Sequence, residues 1–139
     1  MKTFEKAILI FLLAGGALAQ QVQNTPDELA HSVPVIDGGA GPCSLELHVT
    51  ADGKPVYAAT IKVRIAYGFV GTRKLDLQAA TNIDGKVKFT GIPEKVKRPP
   101  LLFNASLDKL AGTVEYDPAT ECQGQHDLAL APARSSDSK

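Results

Sequence analysis

The residues of this chain whose types could do chemistry are few: two cysteines, Cys43 and Cys122, three histidines, His31, His48 and His126, and a glycine-flanked aromatic pair, Tyr67 and Phe69. A cysteine pair can close a disulfide or join a metal site, but a metal site needs further ligands nearby and no third ligand accompanies the cysteines. His48 and His126 follow Cys43 and Cys122 at about equal distances. If the first and last strands run parallel side by side, a disulfide brings both rings to one outer face, where two histidines make a metal or pH-sensitive site. The competing reading, adopted here, leaves them as exposed residues on polar strand faces, and His31 is expected to be solvated. No Ser or Cys stands in an activating context such as a nucleophile elbow. A copper site needs two His, a Cys and usually a Met on converging loops, and the one methionine is Met1. No catalytic residue, metal or cofactor is therefore expected, and the protein is read as not an enzyme.

Two surfaces remain as candidates for recognition. The first is the loop Tyr67-Gly68-Phe69-Val70-Gly71-Thr72-Arg73, where alternation does not account for two aromatics and the glycines let the backbone bend around a partner. Tyr67, Phe69 and Arg73 are its candidate binding residues; the simpler reading folds Tyr67 and Phe69 back to cap the end of the fold. The second is a basic middle section, running from Lys62 to Arg98, on a chain of zero net charge whose two ends are acidic. Lys62, Arg64, Lys86 and Lys88 define a candidate basic face for anionic glycan, lipid headgroup or an acidic protein. The simpler reading is again preferred: solvated outer strand faces whose lysines discourage edge-to-edge association.

The elements that must position these residues are strands. Asp84-Gly85 tolerates the positive φ of a tight turn, and Val87 and Phe89 alternate after it with Lys86, Lys88 and Thr90, which announces an antiparallel hairpin. Ser44 to Thr50 alternates likewise, with Leu45, Leu47 and Val49 opposite Glu46 and His48, and Ala51-Asp52-Gly53-Lys54 turns it. Further strands are read over 58–67, 74–80, 101–107, 113–116 and 127–130. Pro99 and Pro100 fall in a loop because neither can donate a ladder hydrogen bond. Asn104-Ala105-Ser106 matches a glycosylation acceptor but sits within a strand and is read as chance. About seven short strands with no long helix make an antiparallel two-sheet β-sandwich the economical solution.

Residues 1–19 read as a signal peptide, with Lys2 and Lys6 before an apolar run over 7–13 and Ala17-Leu18-Ala19 as a small-x-small cleavage site. That run is shorter than the roughly 20 residues of a membrane span, and no cysteine follows the site for a lipid anchor. The expected location is secreted or periplasmic, with no span after cleavage. Residues 20–42, rich in Gln, Asn, Pro and Gly, read as a flexible arm in which Asp27 to Ala30 forms one helical turn, capped by Thr25 with Pro26 at its first position. The folded unit covers 43–131 and residues 132–139 form a disordered tail. In an oxidising compartment Cys43 and Cys122 should pair. Closing a loop of about 80 residues is worth about 4 to 5 kcal/mol in the chain-entropy model.

Gly53-Lys54-Pro55-Val56-Tyr57-Ala58-Ala59-Thr60-Ile61-Lys62-Val63, followed by Thr81-Asn82-Ile83-Asp84-Gly85-Lys86-Val87-Lys88-Phe89 and Ile92-Pro93, resembles the carboxypeptidase regulatory-like, transthyretin-like sandwich domains. The resemblance covers Cys43 to Leu130 and departs after Pro93, where Glu94 to Pro100 replaces a short Gly-Tyr continuation. It implies an immunoglobulin-like or transthyretin-like sandwich serving as a non-catalytic accessory module. The transthyretin-like hydrolases of purine catabolism end in Tyr-Arg-Gly-Ser, and this chain has no such motif. The expected function is thus an exported module for protein interaction or scaffolding in the envelope or outside the cell. The alternative is a small glycan- or polyanion-binding module using the basic strand faces. The expected partner is an unidentified protein or an envelope polymer, and not nucleic acid.

Overall fold

The computed structural model describes residues 26–133; the expected signal peptide, the Thr25 cap and the tail beyond Ala133 lie outside the described residues. The chain is all-β apart from one short helix, α1 (Pro26–His31), and a 3-10 turn over Phe69–Gly71. Its strands are β1 (Val35–Asp37), β2 (Cys43–Ala51), β3 (Lys54–Pro55), β4 (Thr60–Tyr67), β5 (Arg73–Ala80), β6 (Lys86–Ile92), β7 (Leu101–Leu107), β8 (Leu110–Tyr116) and β9 (Gln123–Pro132). The sheet order is β1-β6-β2-β9-β8-β7-β4-β5, with β3 folded back on β2.

This is one curved, barrel-like sheet, not a clear pair of stacked sheets. The two-sheet expectation fails at β8 and β9, which hold the two halves together through Leu110 opposite Pro132 and Ala111 opposite Ala131. The free edges approach one another as well: a Cβ on Gly38, just past β1, would stand 2.8 Å from Leu75 of β5. Nor is the sheet wholly antiparallel. β1 runs parallel to β6, and β2 runs parallel to β9 from Ser44–Gln123 to Ala51–Leu130.

Alternation supplies the inner surface. Leu45, Leu47 and Val49 of β2, Ile61, Val63 and Ile65 of β4, Val87 and Phe89 of β6, and Leu101, Phe103 and Ala105 of β7 are buried together. Phe89, Phe103 and Tyr116, from β6, β7 and β8, meet edge to face with centroids 5.2 and 6.1 Å apart. Such pairs contribute about 0.5–1.5 kcal/mol beyond area burial, and this row joins the two halves of the sheet from inside.

Cys43 and Cys122 form the expected disulfide, tying the start of β2 to the approach of β9. Tyr116 closes the same corner: its hydroxyl lies 3.0 Å from Ser44 O and 2.9 Å from Cys122 O, sharing one proton between the two carbonyls. Burial, with the negative charges of Glu121 and Asp117, pushes that phenol up to about 12.

The turn at Asp84-Gly85 forms, but it does not make a hairpin. β5 pairs with β4, whereas β6 pairs with β1 and β2, so residues 81–85 carry the chain from one edge of the sheet to its other half. Two buried polar side chains secure this crossing. Thr81 Oγ1 donates to Val56 O (2.6 Å) and accepts from Ala59 N (3.0 Å). Asn82 Oδ1 accepts from the amides of Asp84 and Lys86, and its Nδ2 donates to His31 O and Ser32 O.

That last pair also changes the reading of residues 20–42 as a flexible arm. From Pro26 the segment has a defined place: α1 is fastened to the 81–85 crossing through Asn82 and through His31 Nδ1, 2.8 Å from Asp84 Oδ2. β1 then adds to β6, with Lys88 N donating to Pro34 O. The two-residue hairpin loops are elsewhere, at Asp52-Gly53 between β2 and β3 and at Asp108-Lys109 between β7 and β8. Among the described residues no helix is long and apolar enough to cross a membrane.

Candidate functional site

The parallel β2–β9 pair and the antiparallel β2–β6 pair put three strands side by side. Register sets Lys88, Glu46 and Gln125 in one row across them, and Lys86, His48 and Asp127 in the next. All six are outward because β2 alternates with Leu45, Leu47 and Val49 inward, and its neighbours follow the same parity. Between them lies an open depression of about 350 Å³ lined by Glu46, His48, Lys86, Gln125, His126 and Asp127. His48 Nδ1 stands 3.3 Å from Asp127 Oδ1; among the described residues its Nε2 has no protein partner.

His126 borders the depression but does not stand in the His48 row. In the ladder His126 is opposite Leu47, and Asp127 is opposite His48. The strands do run parallel, as the two-histidine arrangement required, but the one-residue offset turns the His126 ring to the inner side, since a slip of one residue reverses every side chain. There it packs against Tyr116, centroids 6.2 Å apart, and its Nε2 lies 2.8 Å from Glu121 Oε2. Among the described residues no three His, Cys, Asp or Glu side chains converge to hold a metal ion. His31, expected to be free in solvent, sits against Asp84, and that hydrogen bond, with the charges of Asp84 and Asp27, holds its pKa above the usual 6.5 against a smaller desolvation effect.

The four residues proposed as one basic face are divided. Lys62 and Arg64 are on β4 and Lys86 and Lys88 on β6, with β2, β9, β8 and β7 between them in the sheet order. Arg64 is also paired, its Nε 2.9 Å from Asp76 Oδ1. Alternation correctly places all four outward; the order of strands, which alternation does not encode, separates them.

The Tyr67 to Arg73 loop joins β4 to β5, and its two aromatics part company. Tyr67 packs partly against the core and bridges to Val96, whereas Phe69 is 88% exposed and its neighbour Val70 68% exposed. The expected cap is therefore Tyr67 alone. Arg73 faces Tyr67 at the end of the hairpin. Glu46, Gln125 and Asp127 escape a sequence reading as site residues because each is an ordinary outward polar position there; only the β2–β9 pairing assembles them. The signal that points to them is the similar spacing from the two cysteines.

No family model and no curated protein matches the chain. Among solved structures it is similar to catechol 1,2-dioxygenase from Pseudomonas arvilla C-1, with a TM-score of 0.47, 14% identity, and coverage of 77% of this chain and 60% of that one. It is similar also to 3-chlorocatechol 1,2-dioxygenase from Rhodococcus opacus 1CP (0.46, 11% identity, 73% and 64%). A third is hydroxyquinol 1,2-dioxygenase from Pseudomonas putida DLL-E4 (0.45, 11% identity, 74% and 63%). The chain spans 60% to 64% of the length of these proteins. These structures are dioxygenases and not carboxypeptidase regulatory-like or transthyretin-like domains, and that family resemblance is withdrawn. The expected non-catalytic interaction or scaffolding module, its polyanion-binding alternative and the reading of the protein as not an enzyme are withdrawn as well.

Proposed function

We propose that the protein binds a small zwitterionic or hydroxy-acid ligand in the depression over β6, β2 and β9 and exchanges a proton with it through His48. The observation that supports this is the row Lys86, His48, Asp127, in which one ring nitrogen faces a carboxylate and the other has no partner among the described residues. A carboxylate beside Nδ1 orients the ring so that Nε2 is presented to the ligand, the arrangement a general base needs. Lys86 supplies a cation for the anionic end of the ligand. Glu46 and Gln125, one row away, supply an acceptor and an amide for its hydroxyl or ammonium group. The depression, about 350 Å³, is at the small end of the range for ligand sites and is open, so affinities on the order of millimolar are expected. We place this activity outside the cytoplasm, secreted or periplasmic, a reading supported by the 1–19 leader pattern and by the Cys43–Cys122 disulfide.

The test is an NMR titration of the histidine rings with a panel of α-amino acids and α-hydroxy acids. The expected result is a saturable shift of the His48 ring, with His31 unmoved, for at least one class, lost in His48→Gln and weakened in Lys86→Gln. A panel that leaves His48 unmoved, or binding that survives in His48→Gln, would overturn the reading.

A further inference from the structure

The β4–β5 connection is built to hold two apolar side chains away from the protein. Phe69 and Val70 are the two most exposed large hydrophobic residues described. The turn that displays them is closed by Gly71 N to Gly68 O (3.1 Å) and Thr72 N to Phe69 O (3.3 Å), and Thr72 Oγ1 adds a bond to Phe69 O at 2.9 Å. Val70 sits within it at φ 58°, ψ 21°, a left-handed conformation that a β-branched residue adopts only at a cost. An apolar pair kept outward on a strained turn closed by three hydrogen bonds is not a loop that has failed to fold back.

Around this tip cations outnumber anions. The segment carrying Lys95, Val96 and Lys97 is strapped to the end of β4 by Lys97 N to Ala66 O (2.8 Å) and by the Tyr67–Val96 bridge. Lys95 and Lys97 line a hollow with Gly68, Val70 and Gly71, and Lys97 Nζ reaches to 3.5 Å from Val70 O. On the other side Arg73 lies against Gly68, whose Cβ, if it had one, would be 3.3 Å from Arg73 Cγ. Lys74 and Arg98 adjoin these residues in the chain. The acidic neighbours are Glu94, beside Lys95, and Asp76, already engaged by Arg64.

We propose that this tip docks on an anionic lipid bilayer, with Phe69 and Val70 entering the boundary between headgroups and acyl chains and Arg73, Lys95 and Lys97 at the level of the phosphates. An apolar point within a ring of cations matches the layering of such a surface. A protein partner fits less well, because two side chains at a tip fall far short of the roughly 800 Å² per side of a stable interface. The inference is independent of the ligand site on β6, β2 and β9.

The chain contains no tryptophan, so Phe69→Trp in the full, oxidised chain gives a reporter at the tip alone. With vesicles of phosphatidylcholine and phosphatidylglycerol its emission should shift to the blue and be quenched by brominated acyl chains. Pure phosphatidylcholine vesicles should leave it unmoved. Replacing Arg73 and Lys95 by Gln in that background, with Lys97 left to support the turn, should raise the lipid concentration at half-maximal shift about thirtyfold at low salt. Emission that stays unshifted with anionic vesicles, or a shift indifferent to lipid charge or to loss of the two cations, would overturn the proposal. So would a blue shift that grows with protein concentration in the absence of lipid, which would assign the tip to contact between copies of the chain.

Discussion

Two Asp-Gly pairs in this chain make turns with glycine at nearly the same φ, 77° at Gly53 and 73° at Gly85, yet alanine should be tolerated at one and not at the other. At Gly53 nothing stands within 4 Å of a Cβ, so Gly53→Ala costs the left-handed backbone penalty of about 1–2 kcal/mol, less the few tenths recovered by stiffening the unfolded chain. At Gly85 the same Cβ would overlap Val49 O and stand 3.1 Å from Val56 N and 3.4 Å from Pro55 Cα. These are backbone atoms with no rotamer to move to. Relief requires the 81–85 crossing to lift from β2, which breaks Val49 N to Gly85 O (2.7 Å) and strains Val56 N to Val49 O (3.0 Å). At about 1 kcal/mol for each hydrogen bond, with the loosening of the buried Val49 and Val56 side chains adding a similar amount, Gly85→Ala should lose about 4 kcal/mol against about 1 for Gly53→Ala. Urea unfolding of both variants at equal m-value measures the difference. If Asp84-Gly85 were instead the tip of a β5–β6 hairpin, its Cβ would point into solvent. Losses within about 0.5 kcal/mol of each other, the usual spread of such comparisons, would therefore refute the crossover.

The disulfide corner and the N-terminal segment give two further expected outcomes. Cys43 and Cys122 are 79 residues apart, so the Cys43→Ala, Cys122→Ala double variant should lose about 4.5 kcal/mol in urea unfolding; a loss under about 1 kcal/mol would show that the unfolded chain is confined without it. The folded pKa of His31 is raised above the ordinary 6.5, chiefly by its hydrogen bond to Asp84, so the contact is fully present below that value and is lost as pH rises through the folded pKa. NMR titration should place the His31 midpoint above its value in Asp84→Asn, and exchange of the Ile83 amide, which bonds Ala30 O, should quicken as the ring loses its proton.

How much of this is legible in the sequence divides by the range of the information. Alternation is local, and it places Leu45, Leu47, Val49, Ile61, Val63, Ile65, Val87, Phe89, Leu101 and Phe103 inward, as they are found. Strand neighbours are long-range. The Asp84-Gly85 signal is a true turn that reads as a hairpin, because the course of the chain beyond it is settled by the fit of Thr81 and Asn82 beneath it. Those two residues look like ordinary loop polars until their four backbone partners on Val56, Ala59, His31 and Ser32 are present. The structured Pro26 to Asp37 segment is hidden for the same reason: α1 has no buried residue of its own and is held largely by the side chains of Asn82 and Asp84.

The candidate site shows how sharply such long-range information decides chemistry. Similar spacing from the disulfide suggests that His48 and His126 should meet, and the parallel pairing that idea needs is present. But His48 is five residues past Cys43 and His126 four past Cys122, and the ladder beside the disulfide aligns Ser44 with Gln123, so it keeps that difference of one. In a strand a difference of one is a change of face. The residue delivered beside His48 is consequently Asp127, and a potential pair of metal ligands becomes a histidine with a carboxylate, whose natural chemistry is proton transfer. By the same reasoning, the four cations read as one face are dispersed by sheet order although every one of them points outward. A surface site on a barrel-like sheet thus needs two specifications. Parity is written in the alternation of each strand, but order is written only in side chains such as Phe89, Phe103 and Tyr116 that must find one another across it.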